Sequence, residues 1–213
     1  MGITVDELTV ADEPKAWTAI GFAVHGRTCT IGDVRVHLAG VNPEGDGLIG
    51  WSLRGIGTTD LDGLSTAISE REPPEERPTH PNGVTAVDHV VAVSPAFERT
   101  VTRLETAGLD LRRIREETTP AGAPRQAFFR LGATTLEVVQ EPAQAVGCDR
   151  PAFFWGVALI APELDQTVAR FGDRVSEVRP AVQPGRRIAT LRRSAGLSLP
   201  VALMTPADRT PCR

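Results

Sequence analysis

A histidine and a glutamate on two apolar segments are the residues of this sequence that could do chemistry together. His89 lies within VTAVDHVVAV and Glu137 within TTLEVVQEP, and both segments have the composition of strands. Because strand side chains alternate between two faces, His89 is expected on the same face as Val87 and Val91. Imidazole and carboxylate groups suit a divalent ion. The alternative is an ordinary role, with His89 hydrogen-bonded in the core and Glu137 paired with an arginine such as Arg125.

The two segments belong to one copy of a unit that occurs three times along the chain. Residues 84–142 read as strand, helix and three strands, with Phe97, Val101 and Leu104 at helical spacing. A near-copy follows at residues 153–206, where VALIAPELDQTV aligns with VVAVSPAFERTV, and a weaker copy precedes them at residues 3–40. The sequence therefore predicts an α+β protein built from tandem βαβββ units.

The repeats divide the chain into predicted segments. These are residues 1–68, an N-terminal βαβββ-like unit with an extra strand; 69–82, a polar, proline-rich linker; 83–142, the central unit; and 150–206, the C-terminal unit. In the first unit we expect a strand at Ile3–Val10, a helix at Glu13–Gly21 and three short strands at Phe22–Val24, Arg27–Ile31 and Val34–Leu38, followed by the extra strand Leu48–Ile56. A short connection favours pairing of the central and C-terminal units, and pairing of the first two units is the alternative.

Composition and charge exclude several classes of function. The net charge is −4, and residues 79–213 hold 17 bases and 14 acids, hence +3. That excess is too small for a nucleic-acid-binding surface, and no reading motif accompanies it. No apolar run approaches the ~20 residues that span a membrane, and MGITVDEL does not resemble a signal peptide, so a cytoplasmic protein without membrane contact is expected. Cys29, Cys148 and Cys212 predict neither disulfides nor a thiolate zinc site.

A duplicated strand-helix-three-strand unit with this histidine and glutamate resembles the vicinal oxygen chelate superfamily. That superfamily includes glyoxalase I, extradiol dioxygenases, methylmalonyl-CoA epimerase, fosfomycin-resistance enzymes and bleomycin-binding proteins. The chain is also similar to actinobacterial glyoxalase-like proteins of unassigned activity, through HPNG, VDHVV, RQAFFRLG, FWG and VQPGRRIATLR. The resemblance implies that two units pair into a cupped mixed sheet. It also implies that a divalent metal ion in the cup is held by the first and last strands of both units.

Carried over to this chain, the resemblance implies that His89 and Glu137 are the metal ligands of the central unit. The C-terminal unit departs from the family pattern, since Gly156 stands over His89 and Val201 over Glu137. That unit can donate no ligand at these positions. The expected activity is that of a metal-dependent lyase, isomerase or dioxygenase acting on a small oxygenated substrate, without indication of which metal is used.

The N-terminal copy has ligand-type residues at the same positions. Glu7 aligns with the histidine position and His37 with the glutamate position, so the four residues could form a site of two imidazoles and two carboxylates. This set requires that the first and central units form the cup. Otherwise Glu7 and His37 are ordinary exposed strand residues.

Two alternatives to a metalloenzyme remain. In the first, a metal-free cup binds an anionic small molecule through Arg125 and Arg187, since guanidinium groups bind carboxylates and phosphates in a bidentate manner. In the second, the chain is a non-catalytic association domain, for instance in a homodimer. The full set of predicted ligand-binding residues is Arg125, Gln126, Gln183, Arg186 and Arg187 as polar groups and Phe128, Phe154 and Trp155 as apolar walls.

Overall fold

Two β-sheets form the framework of the protein. The computed structural model describes residues 2–41, 45–119, 122–142 and 149–207. Within these residues a five-stranded sheet comes from the N-terminal part and an eight-stranded sheet from the remainder. The predicted α+β class is confirmed. No helix in the described part of the chain is long and apolar enough to cross a membrane.

The N-terminal sheet has the strand order β2-β3-β1-β4-β5. Its elements are β1 (Thr4–Val10), α1 (Pro14–Ala19), β2 (Thr28–Ile31), β3 (Val34–Leu38), β4 (Leu48–Arg54) and β5 (Thr66–Ser69). The strand predicted at Phe22–Val24 is wrong, because Phe22 turns inward and packs its ring 4.8 Å from that of Trp17. Strand β5 was not predicted, since four residues of mixed polarity give little strand signal.

The eight-stranded sheet has the order β11-β12-β13-β10-β6-β9-β8-β7. Its elements are β6 (Ala86–Ser94), α2 (Phe97–Thr106), β7 (Asp110–Arg115), β8 (Gln126–Leu131), β9 (Thr134–Gln140), β10 (Phe153–Ile160), α3 (Leu164–Phe171), β11 (Arg179–Pro180), β12 (Arg187–Thr190) and β13 (Val201–Met204). The central and C-terminal units meet where β6 pairs antiparallel with β10. Strands β11 and β13 of the C-terminal unit are short, with two and four residues.

The two sheets repeat one arrangement. In the N-terminal sheet β1 runs parallel to β3 and antiparallel to β4, and β4 runs parallel to β5. In the larger sheet β6 runs parallel to β9 and antiparallel to β10, and β10 runs parallel to β13. The order β2-β3-β1-β4-β5 therefore corresponds to β8-β9-β6-β10-β13. Strands β4 and β5 occupy the places of a second, reduced unit.

One apolar core joins the two sheets. The inward residues of β6, β8, β9 and β10 pack with the apolar sides of α2 and α3, and the N-terminal sheet contributes to the same cluster. Trp51 of β4 meets Phe154 of β10 with ring centroids 5.1 Å apart. The other face of the eight-stranded sheet, which we call the open face, carries the residues that alternate with the core positions.

A β-bulge in the middle of β6 changes which residues reach the open face. His89 pairs with Ala158 and Val87 pairs with Leu159, so Asp88 is an extra residue without a partner on β10. Such a bulge shifts the alternation of side chains by one position. Asp88 and His89 therefore share the open face, whereas Val87 is buried in the core. The predicted shared face of Val87 and His89 is wrong for this reason.

Candidate functional site

A continuous row of polar side chains crosses the open face where β6 meets its neighbours. It consists of Gln126, Glu137, His89, Asp88, Arg186 and Gln183, in spatial order. Gln126 and Glu137 come from β8 and β9, and Arg186 and Gln183 come from the turn that precedes β12. The row thus spans the central and C-terminal units, which the pairing of β6 with β10 holds side by side.

His89 is the centre of this row. Its Nδ1 lies 2.7 Å from Oδ2 of Asp88, and its Nε2 lies 3.4 Å from Oε2 of Glu137. Oδ2 of Asp88 accepts a hydrogen bond from Nδ1–H of His89, so in the neutral ring the lone pair is on Nε2, directed at Glu137. Two acceptor atoms that face each other at this distance repel unless a cation, a proton or a hydrogen-bond donor lies between them. A positively charged or hydrogen-bond-donating group would therefore be attracted to both atoms.

Arg186 holds Asp88 in place from the other side. Its Nη2 donates to Oδ1 of Asp88 at 2.8 Å and its Nη1 to Oδ2 at 3.1 Å, while Nε donates to the Thr205 carbonyl at 2.8 Å. The residue is only 7% exposed. Burial alone would raise the pKa of Asp88, but the hydrogen bonds from His89 and Arg186 and the charge of Arg186 outweigh it and lower the pKa. Asp88 therefore stays ionised and orients the imidazole.

Gln126 orients Glu137 in the same way. Its Nε2 donates to Oε1 of Glu137 at 2.5 Å, so the other carboxylate oxygen is left facing His89. The amide oxygen of Gln126 is buried and has no hydrogen-bond partner among the residues that the structure describes. A buried acceptor without a partner costs about 1–3 kcal/mol, which a donor on a bound molecule would recover.

The structure brings together only some of the predicted metal ligands. His89 and Glu137 are neighbours, but Glu7 on β1 and His37 on β3 belong to the other sheet. The predicted set of four ligands therefore does not converge. Among the described residues there is no group of three or more histidine, cysteine, aspartate or glutamate side chains placed to hold a metal ion.

The C-terminal unit supplies no further ligand beside the pair. Ala158 is the residue of β10 opposite His89, and Ala202 of β13 follows it across the sheet. Gly156 lies opposite Val91, and Val201 is buried in the core on the other side of the sheet. This edge of the polar row is therefore lined by small apolar groups.

Two of the predicted anion-binding arginines do not face this site. Arg125 stacks over the Phe97 ring of α2 at 4.6 Å and pairs with Glu98 of the same helix. Arg187 makes a two-point contact with Asp165 of α3, with both distances 2.9 Å. Each side chain thus packs on the helical side of the sheet, because a carboxylate on the adjacent helix lies within its reach. The prediction that they line the cup is wrong.

The predicted aromatic walls are divided between the two faces. Phe154 packs against Trp51 in the core, so its prediction as a wall of the cup is wrong. Phe128 pairs with Glu137 across β8 and β9 and therefore shares the open face. Trp155 is the bulged residue of β10 and is 55% exposed. Gln183 lies in the polar row, where its Oε1 accepts from Nη1 of Arg186 at 2.5 Å.

The corresponding face of the N-terminal sheet is closed by its own chain. Asp6, the bulged residue of β1, is fully buried. It accepts hydrogen bonds from Arg35, Ser52, Arg54, Ser69 and Arg71. The predicted linker continues across this face, since the carbonyls of Arg71 and Glu72 accept from Arg54 and Arg35. Farther along the linker, Arg77 pairs with Asp33 at 2.5 Å.

Comparisons with known proteins identify the fold. No protein-family model matches the sequence, and none of the curated proteins matches it. Among solved structures, a xylose isomerase-like TIM barrel/4-hydroxyphenylpyruvate dioxygenase fusion protein matches 99% of this chain with a TM-score of 0.62 and 12% sequence identity. This chain spans 49% of that fusion protein. The chain has the vicinal oxygen chelate fold.

Two smaller solved structures match a part of the chain. Methylmalonyl-CoA epimerase from Mycobacterium tuberculosis has 17% identity and a TM-score of 0.49, and the match covers 60% of this chain and 91% of the epimerase. A hypothetical protein from Bacillus halodurans has 13% identity and a TM-score of 0.47, over 59% of this chain and 97% of that protein. At 12% identity, the match to the fusion protein describes the fold alone. The resemblance recognised in the sequence is confirmed at that level.

Within the vicinal oxygen chelate fold, Asp88 is the site residue that the sequence reasoning missed. Strict alternation places it on the face opposite His89, and only the bulge brings the two side chains together. The first and central copies both read Val-Asp at this position, and Asp6 is likewise bulged. The shared aspartate in the aligned copies was the available signal.

Proposed function

We propose that the open face of the eight-stranded sheet binds a small oxygenated molecule at His89 and Glu137, with a divalent ion between them. One observation carries the proposal: Nε2 of His89 and Oε2 of Glu137 face each other at 3.4 Å. The other ring nitrogen, Nδ1 of His89, is bound by Asp88, and the other carboxylate oxygen, Oε1 of Glu137, is bound by Gln126. At metal–ligand bonds of about 2.1 Å, two neighbouring ligands of a tetrahedral or octahedral ion lie about 3.0–3.4 Å apart.

The surrounding residues match what such a ligand pair requires. Metal-binding histidines usually donate their second ring N–H to a carboxylate, which fixes the ring and the tautomer. Asp88 has that position, and Arg186 keeps it ionised. Gln126 plays the equivalent part for Glu137. An ion bound there would polarise an oxygen of the bound molecule.

Two protein ligands leave most of the coordination to water and to the bound molecule. We therefore expect the ion to bind weakly alone and more tightly together with a molecule that offers two neighbouring oxygens. His89 and Glu137 orient that molecule. A hydrogen-bond donor elsewhere on the molecule can bind the amide oxygen of Gln126, which lies in the same row and has no partner among the described residues. Lyase, isomerase and dioxygenase activities all fit this arrangement.

Isothermal titration with Mn²⁺, before and after addition of a simple chelating acid such as oxalate, tests the proposal. We expect one site per chain, weakened at least tenfold in His89→Ala and in Glu137→Gln. His37→Ala and Glu7→Gln are matched controls, because they make the same chemical changes in the other sheet. Absence of binding, or equal loss in the control variants, would overturn the proposal.

An ion-free site is a second candidate, favoured by the small apolar residues that the C-terminal unit presents. With Ala158 opposite His89, a molecule could donate a hydrogen bond directly to Nε2 and to Glu137. This version predicts that an oxygenated ligand raises the melting temperature equally in EDTA and in Mn²⁺. The metal version predicts a larger shift with Mn²⁺.

A further inference from the structure

The residues level with His89 and Glu137 on the outer strands are defined by the sheet register. Arg113 on β7 pairs with Phe128, which in turn pairs with Glu137. Arg130 on β8 pairs with Thr135, which pairs with His89. Directly paired residues project to the same side of a sheet. Arg113 and Arg130 therefore stand on the open face, in the same rows as the two reactive side chains.

These two arginines differ from their neighbours in having no side-chain partner among the described residues. Neither guanidinium makes a hydrogen bond or an ion pair with any residue in the described part of the chain. Nearby, Arg112 pairs with Asp110 at 3.2 Å and Arg115 pairs with Glu117 at 2.9 Å. Asp110 is level with Arg130, but its carboxylate is already engaged with Arg112. Both arginines are exposed. They are thus charges available to a ligand.

The spacing of the two arginines suits a single anion. Arg113 lies opposite Phe128, and Arg130 is two residues farther along the same face, so the two are diagonal neighbours. Diagonal neighbours on adjacent strands are about 7–8 Å apart at the backbone, and long side chains bridge that distance. Two guanidinium groups can then contact one carboxylate or phosphate from two sides.

The distance from the two arginines to His89 and Glu137 defines the size of the ligand. Arg113 is two strands from Glu137, and Arg130 is two strands from His89. Neighbouring strands are about 4.8 Å apart, which makes the separation about 10 Å. Phe128 lies between them on the same face and offers a ring against which a planar group can pack.

We propose that Arg113 and Arg130 form an anion subsite, and that the ligand is a single-ring or short-chain molecule with a carboxylate or phosphate at one end. The oxygen function at its other end lies at His89 and Glu137, and the ring or chain crosses Phe128. This inference rests on the proposed function for the position of the second end. The anion subsite itself is testable without the metal or any reaction.

Binding of matched charged and neutral ring compounds tests the subsite. Phenyl phosphate and 3-phenylpropanoate are the charged probes, with 3-phenylpropan-1-ol as the neutral one, and dissociation constants are measured by protein-observed NMR titration at 50 and 200 mM salt. We expect the charged probes to bind at least tenfold more tightly, with an affinity that falls as salt rises. The ratio of phosphate to carboxylate binding distinguishes the two anions.

Variants separate the subsite from the general charge of the surface. Arg113→Ala with Arg130→Ala should weaken the charged probes at least tenfold and leave the neutral probe unchanged. Arg187→Ala is the matched control, because it removes an exposed arginine from the helical side of the sheet. Equal binding of charged and neutral probes, absent binding of the charged probes, or an unchanged double variant overturns the proposal. The arginines would then only protect the edge strand β7 from pairing with other chains.

Two readouts keep this result distinct from the test of the proposed function. The double arginine variant should retain Mn²⁺ binding, since neither arginine contacts His89 or Glu137. Conversely, His89→Ala should retain the salt-dependent preference for charged probes. Loss of Mn²⁺ binding alone therefore refutes the proposed function, and loss of charge preference alone refutes the anion subsite.

Discussion

Replacement of Asp6 by asparagine tests the account of the N-terminal sheet. Asp6 is fully buried and accepts hydrogen bonds from three arginines and two serines. Asp6→Asn removes the charge and one acceptor while keeping the shape of the side chain. Arg35 and Arg54, whose side chains are 21% and 14% exposed, are then left without their carboxylate. The linker that these arginines hold across the sheet loses its anchor as well.

The expected loss of stability is large. Removal of one partner from a buried ion pair costs about 3–5 kcal/mol. Arg71 is half exposed and adds little to this figure, because solvent screens its charge. We therefore expect Asp6→Asn to lower the free energy of unfolding by about 3–5 kcal/mol and the melting temperature by about 6–20 °C. Urea and thermal unfolding measure both quantities.

Asp33→Asn is the matched control in the same sheet. It removes the same charge from the ion pair of Asp33 with Arg77. The Asp33 side chain is 49% exposed and that of Arg77 is 64% exposed. An exposed pair contributes less than about 1 kcal/mol. If Asp6→Asn costs no more than Asp33→Asn, the account of the Asp6 cluster as the anchor of the sheet is refuted.

The effect of Asp6→Asn should also depend on pH. Burial alone would raise the pKa of Asp6, but the hydrogen bonds from Ser69 and Arg71 and the charges of Arg54 and Arg71 outweigh it and lower the pKa. A carboxyl with a lowered folded-state pKa stabilises the fold above its unfolded pKa of about 3.9 and loses that contribution as pH falls through the folded value. The difference between wild type and variant should therefore be largest near pH 7 and shrink below about pH 4.

Three further predictions concern other buried groups. Arg186→Met should lower the free energy of unfolding by about 3 kcal/mol in urea, because Asp88 loses both of its guanidinium bonds, and Arg186→Lys should recover a part. Cys29 is buried and its pKa is raised to about 12 by burial, so peptide mass spectrometry should find it unmodified by iodoacetamide at pH 8 in the folded protein, whereas rapid modification would contradict its burial. Burial lowers the pKa of His80 despite its bond to the Thr30 carbonyl, so stability should fall as pH drops below about 6.5, and this slope should be smaller in His80→Gln.

The repeated fold was accessible from sequence because periodic patterns report it directly. The match of VALIAPELDQTV with VVAVSPAFERTV placed β10 and α3 over β6 and α2, and the core positions Phe97, Val101 and Leu104 are buried as the helical spacing predicts. Strands β4 and β5 were not recognised as a second reduced unit. The pairing of β4 with β1 and of β5 with β4 depends on contacts between distant segments that no local pattern reports.

The site was less accessible because it depends on register and on competition between partners. A single extra residue at Asp88 changes which side chains share a face with His89. Arg125 and Arg187 have the residue type that an anion site needs, but each forms an ion pair with a carboxylate on the adjacent helix. These carboxylates are Glu98 and Asp165. Arg113 and Arg130 carry the same sequence signal and stay unpaired within the described residues. Only the three-dimensional structure separates the two kinds of arginine. Cys148 and Cys212 lie outside the described residues, and their predicted lack of disulfides remains a prediction.

Anomalous diffraction from crystals soaked in Mn²⁺ tests the central claim most directly. The proposed function predicts one strong anomalous peak within about 2.5 Å of both Nε2 of His89 and Oε2 of Glu137, and no such peak in crystals of His89→Ala. A peak only at other carboxylates, or no peak at His89 and Glu137 at saturating Mn²⁺, would contradict it.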